Sequence, residues 1–338
     1  MNILVTGAGG YIGTTLVPML LKDGHHVKAV DRFFFGEEKL KSHENLSIIY
    51  EDSRKINEEI FKDIDAVIDL VAISNDPSGE IFEKQTYEIN HQSRVRTAKA
   101  AKKMGVKRYI LPSTASIYGF QDKNLVADET TKTNPLTTYA IANEMAENDI
   151  LPLADENFCA VVLRQSTVYG YSPRMRLDLA INGMTYGAWK TGKLPLMRDG
   201  TQWRPMVHVR DTARAQIFML TADKDKVNGE IFNVGSKVNV YKIKDIAEKV
   251  KQIVPNVELE WYGDADHRSY NVAFSKIESL GYKAKMIAED GIKEILEKLE
   301  SGELEKTLDT ITLDWYQEIT KWHTTIKRIE KYGGILDI

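Results

Sequence analysis

The stretch Gly7-Ala8-Gly9-Gly10-Tyr11-Ile12-Gly13 follows the apolar run Ile3-Leu4-Val5-Thr6 directly, and the next apolar run, Val27-Lys28-Ala29-Val30, ends in Asp31. Glycines at 7, 10 and 13 let a chain turn tightly off a strand, bring backbone N–H groups up to a pyrophosphate, and pack a helix closely on a sheet. Tyr11 and Ile12 lie within that loop and belong to the same cofactor-binding set. A carboxylate at the end of the second strand accepts hydrogen bonds from an adenosine ribose and repels a 2′-phosphate. The residues therefore predict a dinucleotide site that prefers NAD to NADP, a preference that Arg32 weakens slightly.

The elements that must position this loop follow from the rest of the chain. Short β-rich runs at 3–6, 27–30, 46–50, 66–71, 108–111 and 159–163 alternate with helical patterns. That alternation predicts an α/β fold with a parallel, doubly wound sheet of Rossmann type. Pro18 falls within the first helix, where its missing donor predicts a kink. The segment from Ser93 to Met104 reads as a helix closed by Gly105. Beyond about residue 165 the rhythm changes, with Pro173, Pro195, Pro205 and Pro255 interrupting shorter elements. Residues 1–165 read as the cofactor domain, with 205–235 returning to it, and 166–204 with 236–338 as a smaller mixed α/β substrate-binding domain. The charged stretch from Glu289 to Lys306 reads as an outer helical face.

A chain of 338 residues with 43% apolar content can bury a sizeable core. Its net charge of −4 offers no electrostatic reason to bind nucleic acid. Lys102, Lys103, Lys107 and Arg108 cluster around Gly105, where cations complement a helix C-terminus. The single cysteine, Cys159, lies in an apolar run and reads as a small buried hydrophobe, which fits a reducing cytoplasm. No run approaches membrane-spanning length, and the first residues lack the features of a signal peptide. Histidine spacing and acidic clustering give no reason to assign a metal.

Two further segments bear chemistry: Pro112-Ser113-Thr114-Ala115-Ser116-Ile117-Tyr118-Gly119 after a strand, and Tyr139-Ala140-Ile141-Ala142-Asn143 opening a helix downstream. The arrangement resembles the extended short-chain dehydrogenase/reductase family, specifically its nucleotide-sugar epimerases and dehydratases, over essentially the whole chain. The resemblance implies that Thr114 hydrogen-bonds a sugar oxygen, with Ser116 beside it, while Tyr139 exchanges the proton of that oxygen and hydride passes to the nicotinamide. It implies a lysine four residues after the tyrosine, binding the nicotinamide ribose and stabilising phenolate. Here that position is Asn143, which can hydrogen-bond ribose but carries no charge, leaving only the oxidised nicotinamide to depress the tyrosine pKa. A loss worth ~2 pKa units would slow turnover at neutral pH about a hundredfold. The expectation is weak activity with an alkaline optimum that Asn143→Lys relieves; a lysine-to-asparagine change introduced to trap substrate would leave the same sequence.

The resemblance also implies roles for other positions. Asp52 and Ser53 border adenine, Leu70-Val71-Ala72 lies beneath the nicotinamide half, and Asn90 stands near the ribose-phosphate. Leu163 to Gly170 brings cofactor and sugar together, with Thr167 at the usual asparagine position. Arg176, in Ser172-Pro173-Arg174-Met175-Arg176, lies in a loop draped over the nucleotide diphosphate, and Arg204 and Arg268 are the diphosphate arginines. Asp211 reads as the cap of the following helix. Ala115 and Ser116 stand where family dehydratases carry Asp-Glu, so elimination lacks its acid and base and a C4 epimerase is favoured. A keto-sugar reductase that turns over NADH or NADPH, and a nucleotide-sugar-binding homologue without turnover, remain alternatives. A homodimer paired through the helices starting near Thr86 and Thr138 is the implied assembly.

Overall fold

A computed structural model describes residues 1–121, 125–197, 199–263 and 269–331. Its centre is a seven-stranded sheet: β1 (Asn2–Thr6), β2 (His26–Asp31), β3 (Leu46–Tyr50), β4 (Ala66–Asp69), β5 (Arg108–Thr114), β6 (Cys159–Gln165) and β7 (Glu230–Val234). The spatial order is β7-β6-β5-β4-β1-β2-β3, and every adjacent pair is parallel. Apolar runs such as Ile3-Leu4-Val5 and Ala160-Val161-Val162 are buried, as expected of strands covered on both faces. The chain moves outward from β1 through β2 to β3, then crosses back to β4 on the other side of β1. That reversal opens a crevice beyond the carboxyl ends of β1 and β4, where Thr6 stands beside Asp69.

Several elements run differently from the sequence pattern. β5 continues through Pro112 to Thr114, because β4 pairing ends at Ile110 and beyond it β5 follows β6 alone, up to Thr114 opposite Gln165. The first helix, Gly13–Lys22, is unbroken across the exposed Pro18. The predicted helix at 93–104 is the end of a longer helical path: Glu83–Thr86, a π-helical stretch Tyr87–Ser93, then Arg94–Lys103 closed by Gly105 at φ +83°. The wider turns bury Asn90, Ser93 and Arg94 against the strand ends. Asp211 is not the cap of the helix Val209–Thr221; His208 holds that position. The fully buried Asp211 carboxylate instead accepts from the backbone N–H groups of Lys285 and Met286, tying a distant loop to this helix.

The smaller layer is built on strands Thr167–Tyr169, Trp203–His208 and Val240–Lys242, with helices Ala180–Thr191, Ile243–Ile253 and Ala288–Glu300. The last of these is not purely an outer face, since Ala288, Ile292, Ile295 and Leu299 are buried. The chain then returns to the crevice as a helix, Thr312–Glu330, whose Trp315 Nε1 donates to the Phe34 carbonyl at 2.8 Å. Among the described residues no helix is long and apolar enough to cross a membrane.

The helix Thr138–Ile150, which carries Tyr139, is fixed at both ends. Thr137 caps it by accepting from Ala140 N, and Glu80 accepts from Thr138 N at 2.8 Å. Near its other end the buried Glu147 carboxylate meets Arg164 Nη2 of β6 at 2.7 Å and accepts from the Ser113 hydroxyl of β5. Breaking a buried ion pair by deleting one partner strands the other charge. Glu147→Ala is therefore expected to lose about 3–5 kcal/mol of stability in chemical denaturation, and Glu147→Leu with Arg164→Met to recover most of it. A single-variant loss below about 1 kcal/mol would contradict this account.

Candidate functional site

The switch-point crevice deepens into a cavity of about 760 Å³, within the range of small-molecule and cofactor sites. Its floor is the glycine loop: Gly7, Gly10, Tyr11, Ile12 and Gly13 all line it. Gly7 has φ +65°, and a side chain there would stand 2.7 Å from the backbone of Leu70 and Val71. A Cβ on Gly13 would lie 2.4 Å from the Ala8 carbonyl, so the helix starts this close to the loop only without a side chain. The result is a set of backbone donors at a helix N-terminus, suited to an anionic ligand.

At one end Asp31 closes β2. Its carboxylate accepts from Gly9 N at 2.9 Å and Phe33 N at 2.8 Å. Burial pushes the Asp31 carboxyl up, opposed by those backbone N–H groups and by the Arg174 charge. Each carboxylate oxygen keeps a further lone pair for a ligand. Arg32, Asp52 and Ser53 also line this end. Arg32 stacks on Phe34 and reaches Asp52 at 3.5 Å, while Arg54 grips Asp52 at 2.6 Å and, with its backbone N–H, holds that carboxyl below its usual range.

Leu70, Val71 and Ala72 form the middle of the wall, and Thr114, Ser116, Tyr139 and Thr167 face it from β5, the Tyr139 helix and the strand Thr167–Tyr169. The Thr114 hydroxyl lies 3.1 Å from the Ser116 hydroxyl, accepts from Ser116 N, and is close enough to the Tyr139 phenol to favour its ionised form. Burial holds the Tyr139 phenol above its ordinary value, against the pull of the Arg94 charge, Thr114 and Arg176. Such a hydroxyl pair can hold one substrate oxygen and exchange its proton.

Three residues expected on the wall are not among those lining the cavity. Asn90 is fully buried, with its carboxamide spent on both backbone groups of Ile73 at 2.8 and 2.9 Å, so it shapes the turn after β4 from behind. Asn143 is 1% exposed, and its amide is bound to Arg94 and to the Tyr139 carbonyl, which corrects the expectation that it reaches a ribose. Arg204 donates to the Trp203 carbonyl and lies with its guanidinium 5.4 Å from the ring of Tyr270, which does line the cavity. Arg268 falls outside the described residues. Arg176 does line the cavity, clamped by Asp178 at 2.7 Å and bonded to Ser74.

Sequence reasoning passed over two features. Arg174 lines the cavity at 2% exposure, with Nε and Nη1 unpartnered and its guanidinium 3.6 Å from the Phe35 ring. Burial, reinforced by Arg176, pushes its pKa down to about 10. The only signal for it was its place two residues before Arg176. The helix Thr312–Glu330 contributes Tyr316, Ile319, Thr320 and His323 to the wall, which no local pattern near the chain's end announces.

Known proteins resemble this chain in sequence and in architecture. The chain is 29% identical over 267 residues to an uncharacterised UDP-glucose epimerase of Bacillus subtilis, covering 74% of this chain and 82% of that protein. It is 30% identical over 266 residues to a UDP-N-acetyl-alpha-D-glucosaminuronate decarboxylase of Bacillus cytotoxicus, covering 74% and 79%. The structure of UDP-glucuronic acid 4-epimerase from Bacillus cereus, in complex with UDP-glucuronic acid and NAD, superposes with a TM-score of 0.79 at 26% identity, covering 89% of this chain and 99% of that one. Residues 3–235 match the profile of the NAD-dependent epimerase/dehydratase family, and with the glycine loop, the switch-point cavity and the Thr114–Tyr139 pair in place, the chain belongs to that family.

Proposed function

We propose that the protein is an NAD-dependent epimerase that inverts C4 of a nucleotide-diphosphate sugar, with a UDP-sugar as the class its relatives favour. The observation that carries the reading is the Thr114–Tyr139 hydroxyl pair facing the apolar turn Leu70 to Ala72 across one cavity, with Ala115 and Ser116 where a dehydratase needs acid and base.

The residues fit the cofactor. The glycine loop makes a cradle that a Cβ would fill, and Arg174 brings two unpartnered donors to it. Asp31 would accept hydrogen bonds from the adenosine ribose hydroxyls, Asp52, Ser53 and Arg32 would border adenine, and Arg174 would join the loop N–H groups in holding the pyrophosphate. Bound NAD supplies a reversible hydride acceptor. Tyr139 removes the proton of the sugar hydroxyl and returns it, and Thr114 holds the same oxygen throughout. Thr167 and Arg176 orient the sugar and its diphosphate. The assembly is a homodimer through the helical path from Thr86 to Lys103 and the helix Thr138–Ile150.

Incubating the protein with NAD and a UDP-sugar deuterated at C4 tests the reaction. The expected result by NMR is a mixture of C4 epimers that keeps the label; release of carbon dioxide, a 4-keto-6-deoxy product or accumulating NADH would overturn it. Tyr139→Phe is expected to lower kcat about 10²–10⁴-fold while NAD still binds in calorimetry. Arg174→Met is expected to weaken NAD binding about tenfold or more, the loss of a charge-assisted phosphate contact. Asp31→Ser is expected to narrow the gap between NAD and NADP affinities, measured by the same titration.

A further inference from the structure

The helix residue one turn beyond Tyr139 is neutral, yet a positive charge stands directly behind it. Asn143 Oδ1 accepts from Arg94 Nη1 at 2.8 Å, and Asn143 Nδ2 donates to the Tyr139 carbonyl at 2.8 Å. Arg94 is 2% exposed, and its other donors go to backbone carbonyls, Nε to Val71 at 2.9 Å and Nη2 to Asp69 at 3.4 Å. Its three acceptors are therefore two peptide oxygens and a carboxamide, none of them charged. A guanidinium stays protonated, and in a buried site held by neutral acceptors its field is screened little.

Every bond that Arg94 makes lies next to the chemistry. Val71 is part of the apolar turn lining the cavity, Asp69 ends β4 at the switch point, and Asn143 is bound to the backbone of Tyr139. The π-helical stretch Tyr87–Ser93 ends immediately before Arg94, delivering its side chain inward. Other groups face the pair. Tyr139 feels Asp76 from the helix Asp76–Ile81, Arg176 from the loop after Tyr169, and the Thr114 hydroxyl from β5. Arg94 in turn stands near Tyr109 of β5, whose hydroxyl bonds the Asp69 carboxylate and the Arg94 carbonyl.

We propose that Arg94 is the positioning residue that offsets the burial of Tyr139 and so eases its work as a proton acceptor, its buried charge favouring phenolate while Asn143 serves as the neutral spacer that seats it. The proposal rests on the reading of Tyr139 as the base of a sugar epimerase. It replaces the simpler view in which oxidised nicotinamide is the sole source of positive charge. It also reverses the expected effect of Asn143→Lys, because an ammonium placed there would confront the Arg94 guanidinium inside the protein.

The test is a spectrophotometric titration of the Tyr139 phenolate in NAD-loaded protein, taken as the difference from Tyr139→Phe, beside the pH–rate profile. Arg94→Gln is expected to move the midpoint and the acidic limb of the profile up by about one pH unit or more, and Arg94→Lys to move them little. Arg94→Gln combined with Asn143→Lys is expected to bring both back towards the parent. An unmoved midpoint in Arg94→Gln, or a rate that falls equally at every pH, overturns the proposal. Should Arg94→Gln not fold, Asn143→Lys alone decides: a lowered melting temperature with no gain in neutral turnover supports it, and a tenfold gain overturns it. A parent protein whose Tyr139 titrates as described but which converts no sugar defeats the epimerase reading instead.

Discussion

The crevice beyond β1 and β4 is the constraint on which everything else depends. Parallel strands need crossover connections, and when successive crossovers leave β1 in opposite directions their loops part rather than cover one another. Thr6 and Asp69 mark that parting, and the glycine loop, the turn Leu70 to Ala72 and the end of β5 all open into it. Residues remote in sequence thus reach one cavity because strand ends are the only places where backbone leaves the sheet. The smaller layer then supplies Thr167, Arg174 and Arg176 from above.

Charge is handled in three different ways around this cavity. Glu147 and Arg164 neutralise each other in the core and lock the helix bearing Tyr139 to β5 and β6. Arg176 is clamped by Asp178 and presents a restrained cation. Arg174 and Arg94 are buried with neutral or missing partners, an expensive arrangement that persists when the surrounding fold over-determines it. Their positions differ in consequence. Arg174 opens onto the floor where an anion belongs, whereas Arg94 is sealed behind the wall and can act only through its field.

The cofactor half was legible because its signals are local. Gly7 must be glycine for a positive φ, Gly13 for a close helix approach, and Asp31 for its place at a strand end; all three lie within the first 31 residues. The strand runs were equally readable, apart from the extension of β5 through Pro112, which depends on where its neighbour stops pairing. Arg204 and Asn90 show the limit of such reading. Each belongs to a recognisable segment, but the direction of its side chain is set by Tyr270 in one case and by Ile73 in the other.

The α/β class and the dinucleotide loop are written in local runs of residues whose backbone preferences and hydrophobic period hold whatever surrounds them, whereas the pairing of Thr114 with Tyr139 came from the family resemblance. The sequence also showed a neutral residue at 143 and so implied a missing charge. Packing brings a charge there all the same, carried by an arginine 49 positions earlier. In the same way it brought the final helix across 281 positions to the Phe34 carbonyl and the cavity wall. The physical reason is common to both: burial and Coulomb interactions depend on distance in space, and distances between remote segments are set by packing, which no local pattern encodes.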